Sequence, residues 1–401
     1  MRASSGLYVS RLDHVRALAA FLVYGWHFVH VHVPFDTVPA FAPLSLIEEG
    51  HIGVALFMTL SGYLFAKIID GRRVDLARFY RNRVLRLAPL LAVVLAYWAL
   101  RGTLTPTAFL EGFVLPTWSG GAWSVAVELH FYALFPLILW LQRGHRTGAL
   151  AALLALTILM RTGVWATFGT VQAFSYWTIG GAIDLFLAGM LWHELARHDA
   201  IRRRAGALAL GASLLIVGAW HAFNVAGGFY GLDGYPSASP LWIVLPTLQG
   251  LAFGALIVGY EYARAGLPER ADRALAKVGE VSYSIYLLHF IVYPTLVKQL
   301  AGAGFDMASF AVSASLALAT FPLVVGLAML SYRYIEQPFL TLRGTYDRKN
   351  APAQDRTRQV PIQEAAESVT RPLPPWQCID ATGLVPDPGQ LTPAGRLRRG
   401  A

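Results

Sequence analysis

Ten stretches of this chain are apolar for long enough to cross a bilayer, and that constrains the fold more than any other feature. They run over residues 13–33, 52–70, 86–102, 123–142, 147–168, 176–193, 206–226, 240–260, 278–298 and 308–332. In lipid such a segment must satisfy its own backbone hydrogen bonds, so each reads as a helix. The expected fold is an all-α polytopic membrane protein, a bundle of about ten transmembrane helices. Composition agrees, with 55% of residues hydrophobic and only 14% charged, too apolar for an ordinary soluble domain.

The net charge of +9 could suggest a nucleic-acid partner, but its placement argues for topology instead. Lys67, Arg72, Arg73, Arg78, Arg81, Arg83 and Arg86 crowd one connection, Arg143 and Arg146 another, Arg197 and Arg202 to Arg204 a third, and Arg264, Arg270, Arg273 and Lys277 a fourth. The opposite side carries only Arg101, Arg161 and Lys298. Basic residues favour the cytoplasmic face, so both termini are expected there, in a multi-pass protein of the cell inner membrane. Arg2 and Arg11 ahead of an apolar run resemble a signal peptide. No small-residue cleavage site follows, so the first span is read as retained.

From Thr345 the chain turns polar, Pro-rich and charged. Two units are therefore expected: a membrane domain over 1–344 and a disordered cytoplasmic tail over 345–401. The single cysteine, Cys378, excludes an internal disulfide and a thiolate zinc site.

Several spans carry groups that lipid does not tolerate. In RLDHVRALAAFLVYGWHFVHVHV, Arg11 to Val33, Arg16 and His27 are eleven residues apart, about three helical turns, so they share one stripe. Ionisable groups inside a span usually face a protein interior or a wet cavity. Glu128, in WSVAVELHFYALFP, falls at a similar depth on the fourth span and is expected to orient His27 as a general base. Arg83 and Arg86 are three apart and share a helix face; paired guanidinium groups suit phosphates, although positive-inside charge alone also accounts for them. Ser61 and Gly62, near the middle of the second span, are read first as close-packing residues, with a substrate or oxyanion role for Ser61 as the other option. Asp184 and Arg161 are read as a mutual pair, with a substrate contact to Asp184 as the other option. Trp123 and Ser124 are candidates for holding a developing oxyanion, and His289 is read as a hydrogen-bonded core residue. His27, His30, His32 and His51 are spaced irregularly, with no carboxylate or cysteine completing a ligand set, so no metal is expected.

The quoted segments LDHVRALAAFLVYGWH, GVALFMTLSGYL, FYRNRVLRLAP, WSVAVELHFYALFP, GEVSYSIYLLH and YRYIEQPF occur in that order. The series resembles the acyltransferase family 3 of ten-span membrane O-acyltransferases, from Leu12 to about Leu342. The resemblance implies transfer of an acyl group, usually acetyl, from cytoplasmic acyl-CoA to a hydroxyl of a glycan or a glycosylated small molecule such as a macrolide. It makes Arg16, His27 and Glu128 catalytic candidates and assigns Arg83 and Arg86 to the CoA phosphates. The partners implied are acyl-CoA, a sugar-containing acceptor and the bilayer, with no permanently bound cofactor. His14 stands where the family usually has a small residue, and Ala55 where an aspartate is frequent. The competing class is a proton-coupled transporter with intramembrane His and charges lining its path; no inverted repeat supports it.

Overall fold

The computed structural model describes residues 9–344, apart from 71–74, 116 and 119. Among these residues there are helices and no strands. Arg72, Arg73, Cys378 and the tail from Thr345 lie outside the described residues.

The long helices are α1 (Ser10–Val29), α2 (Ile52–Ile69), α3 (Leu76–Leu100), α4 (Ala122–Leu141), α5 (Arg146–Phe168), α6 (Ile179–Leu195), α7 (Ala205–Val225), α8 (Leu241–Tyr262), α9 (Glu269–Glu280), α10 (Ser282–Gly302) and α11 (Phe310–Ser331). Seven are long and apolar enough to cross a membrane, or eight if α9 and α10, bent by 66° at their junction, form one span. The chain is therefore a multi-pass membrane protein. Two expected spans fall outside that measure. α1 carries Arg11, Asp13 and Arg16, and α6 is only 17 residues long.

The third span differs most from expectation. It begins at Leu76, ten residues before 86, because Asp75 caps it by accepting the Arg78 backbone N–H at 3.2 Å. Arg78, Arg81, Arg83 and Arg86 are thus all helical, and they extend α3 as a charged arm. The sixth begins after Thr178, which caps α6 through the Gly181 N–H; the preceding Gln172–Trp177 forms a separate short helix.

α6 lies at the centre of one half of the bundle, packed on α2, α5 and α8. Glycines set the approach of α2 and α6: a Cβ on Gly62 would collide with the Phe186 carbonyl, and one on Gly189 with that of Thr59. Such contact between backbones is how membrane helices gain dispersion energy where no water is available to drive burial. α1 is enclosed by α2, α9, α10 and α11. His14 serves that enclosure. Its Nδ1 meets the Tyr260 hydroxyl at 2.8 Å and its Nε2 the Asp272 carbonyl at 2.9 Å, tying α1 to α8 and α9. Beyond α11 the chain makes one π-helical turn, Tyr332–Glu336, which re-aims the residues after it.

Candidate functional site

A cavity of about 260 Å³ opens among α1, α2, α3, α4 and α10. Its cations are Arg16 on α1, Lys67 on α2, Arg83 with Arg86 on α3, and Arg343 near the end of the described chain. The four on helices are each held by a specific neighbour. Arg16 pairs with the buried Asp13 one turn earlier, and Lys67 pairs with Glu261, which also accepts from the Tyr63 hydroxyl. The Arg86 guanidinium donates to Glu336 at 3.0 Å and lies 5.4 Å from the centre of the Tyr283 ring. Glu336 is wholly buried, sits at the end of the π-turn and accepts a second bond from Ser284. Arg83 lies 5.0, 5.8 and 5.9 Å from the ring centres of Phe65, Phe79 and Tyr132, a cation–π setting that positions its guanidinium beside the cavity.

Glu128 reaches the same cavity from α4, where the Tyr132 hydroxyl, one turn on, donates to it. Its charged neighbours are Arg83, Arg86 and Arg16. Ser61 and Ser124 also line the cavity. Ser124 Oγ and Tyr286 Oη are 2.6 Å apart, and Tyr286 donates to the Gly121 carbonyl at 3.1 Å. The chamber therefore combines a cationic region with two paired hydroxyls, suited to an anionic ligand that carries an acyl carbonyl.

His27 does not line this cavity. Its Nδ1 lies 2.8 Å from the Val23 carbonyl one turn back, and 3.4 Å from His289 Nε2 on α10. A carbonyl only accepts, so Nδ1 carries the proton and Nε2 keeps the lone pair. Glu128, expected to orient His27, is held by Tyr132 and faces the arginines instead. The local carbonyl of α1 fixes the tautomer that a base requires.

Beyond His27 lies a second cluster. Trp26 is ringed by His27, His30, Phe35, His51, Phe229 and Tyr230, with centres 4.7 to 6.5 Å away. Two adjacent acids that the sequence reading passed over, Glu48 and Glu49, sit against His30 and His51 at 3.3 and 3.4 Å. Both are in the connection before α2. Burial, with Glu49 and Asp36 adding to it, pushes Glu48 up to about 9. Burial likewise pushes Glu49 up to about 8, against a lowering from Asn224. Burial and the neighbouring His30 and His27 lower His51 to about 3. Acid and imidazole are both neutral there. The statement that no carboxylate completes the histidine set needs correcting, since two adjoin it. Even so, among the described residues no three His, Cys, Asp or Glu are grouped to hold a metal ion.

Of the remaining expected residues, Trp123 is buried against Tyr176 and Trp177 and lines a small cavity with His51. Asp184 and Arg161 pair at 2.7 Å, both fully buried, with Thr247 bonded to each. His32 is exposed. Besides the two acids, sequence reasoning gave no role to Tyr132, Tyr286 or Glu336. Glu336 had a signal, an acid at the end of the last apolar span, in YRYIEQPF.

A family model described as an acyltransferase domain matches residues 9–333. Nodulation protein 10 of Rhizobium leguminosarum bv. viciae is 25% identical, over 83% of this chain and 94% of its own length. The exopolysaccharide production protein ExoZ of Rhizobium meliloti (strain 1021) is 27% identical, over 73% and 90%. The peptidoglycan O-acetyltransferase OatA of Listeria monocytogenes serovar 1/2a is 24% identical over 82% of this chain, but this chain spans only 56% of OatA. No solved structure matches.

Proposed function

The chain belongs to the acyltransferase 3 family of membrane O-acyltransferases, and on that premise we propose that it moves an acetyl group from cytoplasmic acetyl-CoA to a hydroxyl of a sugar-containing acceptor. Membership makes it an O-acyltransferase and displaces the transporter reading. For the topology, α1 and α6 join the seven apolar helices and the bent α9–α10 pair to make ten crossings, with both ends cytoplasmic in the plasma membrane. The membrane domain closes near residue 344, and the polar remainder is a separate segment.

The observation that carries the reading is the cavity in which Arg16, Arg83, Arg86 and Lys67 surround space leading to the Ser124–Tyr286 hydroxyl pair. Arg83 and Arg86 take the CoA phosphates, and Arg16 guides the pantetheine arm. His27 Nε2 removes the acceptor hydroxyl proton as that oxygen attacks the thioester carbonyl carbon. The oxyanion collects hydrogen bonds from Ser124 or Tyr286. As the C–S bond breaks, the imidazolium returns its proton to the thiolate, so CoA leaves as the thiol and no net proton is consumed. The names of two relatives, an exopolysaccharide production protein and a peptidoglycan O-acetyltransferase, support a glycan acceptor, and the aromatic surround of Trp26 suits sugar faces.

The test is labelled acetyl-CoA with purified protein in vesicles, offered glycan fragments and glycosylated small molecules as separate panels. Label is expected in a glycan hydroxyl ester. Absence of acceptor-dependent thioester consumption in every panel would overturn the reading.

A further inference from the structure

The contact between His289 and His27 is left unused by this mechanism. His289 is wholly buried on α10 among aromatic rings: Tyr24 at 6.2 Å, Tyr286 at 5.9 Å, Phe290 at 4.1 Å and Tyr293 at 6.1 Å. Its Nδ1 is 3.1 Å from the Ile285 carbonyl. Because that carbonyl can only accept, Nδ1 bears the proton and Nε2 is a lone pair. That lone pair points at His27 Nδ1, 3.4 Å away, the nitrogen shown above to bear its own proton. Two independent helical carbonyls therefore leave one arrangement, in which His27 donates and His289 accepts. In the resting enzyme the bond is a long, weak second acceptor beside Val23.

Turnover changes its weight. When His27 takes a proton on Nε2, the ring becomes a cation and its Nδ1–H a stronger donor, so the bond becomes charge-assisted. A buried imidazolium needs such a partner. The carboxylate expected in that role, Glu128, is held by Tyr132 on the cavity side.

We propose that His289 is a positioning residue for acyl transfer, its Nε2 lone pair accepting the His27 Nδ1–H and stabilising the imidazolium formed at His27 during the reaction. A neutral imidazole takes the place that a carboxylate holds in a hydrolase triad. The proposal rests on His27 acting as the base. It also accounts for a histidine at a wholly buried, aromatic-lined position where an apolar side chain would pack.

The experiment compares His289→Gln, whose amide oxygen can accept from His27, with His289→Phe, which fills the space and cannot. Each is purified in detergent, checked for monodispersity and thermal melting, and assayed for kcat and for KM of acetyl-CoA. His289→Phe is expected to lower kcat about tenfold to a hundredfold, the scale of a lost hydrogen bond to a charged group, with the donor KM unchanged. His289→Gln should recover most of that loss at equal melting temperature. If His289→Phe does not purify intact, His289→Met takes its place in the same comparison. Equal kcat in the non-accepting variant and wild type overturns the proposal, as does an equal loss in both variants. His27→Ala, run alongside, separates the two ideas: if it remains active the base assignment fails, whereas an inactive His27→Ala beside a normal His289→Phe removes only the role of His289.

Discussion

The inner cavity and the outer cluster around Trp26 both bury ionisable side chains, but they neutralise them in opposite ways. Inside, cations meet carboxylates: Arg16 with Asp13, Lys67 with Glu261, Arg86 with Glu336. Outside, Glu48 and Glu49 meet His30 and His51, and burial keeps the acids protonated and His51 neutral. A region balanced by arginine holds its charge at any physiological pH and attracts an anion. One balanced by protons is uncharged at neutrality and suits a neutral acceptor and a base that must change its own charge. His27 stands between the two, which is why the comparison can be tested there.

The largest effect is expected at His27. His27→Ala should fold and insert, yet lose acyl transfer by about 10²- to 10⁴-fold, the usual contribution of a general base. A well-folded variant with near-normal turnover would break the comparison at its midpoint.

Arg86→Ala should act through stability, because it leaves Glu336 buried and unpaired; breaking a buried pair in this way costs about 3–5 kcal/mol. Adding Glu336→Gln should restore much of the melting temperature. Should the double variant melt as low as the single one, the pair is not what holds the π-turn in place. Arg83, set among the Phe65, Phe79 and Tyr132 rings, is the second probe of the donor side. Arg83→Ala should weaken acetyl-CoA use by about 1.5–3 kcal/mol and leave acceptor use alone, and lysine should rescue poorly because it lacks the planar fork. A shift in acceptor KM instead would mean that the cavity is not the donor side.

The outer cluster predicts a smaller effect, in pH. A carboxyl raised on folding from 4.5 to about 8 or 9 contributes stability that is complete below its ordinary value and is lost as pH rises through the raised one. The melting temperature should therefore fall progressively between about pH 4.5 and 9 and level off above that, and Glu48→Gln with Glu49→Gln should flatten the decline. A wild-type profile that rises toward pH 9 would show the acids to be ionised. The smallest effect of all is expected from truncation near Tyr346, which should leave insertion and transfer intact; loss of activity at normal expression would assign the polar tail a role.

What the sequence made legible was whatever depends on local spacing. Apolar runs located the helices, Arg83 and Arg86 were read as sharing a face, and Arg161 was read with Asp184, where the ion pair is found. The start of α3 was missed because a cap outweighed a run of arginines: Asp75 begins a helix that hydropathy alone starts later. The partner of Glu128 was missed for a different reason. Similar depth on two spans says nothing about azimuth, and α4 turns Glu128 toward α3, with Tyr132 one turn along. Glu48 and Glu49 went unread because they lie in a connection, where acids are ordinarily solvated, whereas this one folds back against α1 and α7.

The trio of Arg161, Asp184 and Thr247 carries a consequence for how the chain is built during synthesis. α5 is largely outward-facing, with 22% of its apolar window buried, yet it carries an arginine near the middle of its second half that is wholly enclosed by α6 and α8. Left alone in lipid, that charge disfavours residence by at least about 2.5 kcal/mol. The ribosome delivers α5 before either partner, so that cost stands until α6 arrives with Asp184, and the site is complete only when α8 brings Thr247. In the folded bundle the sixth helix is thus the latch for the fifth, closed by a single buried ion pair.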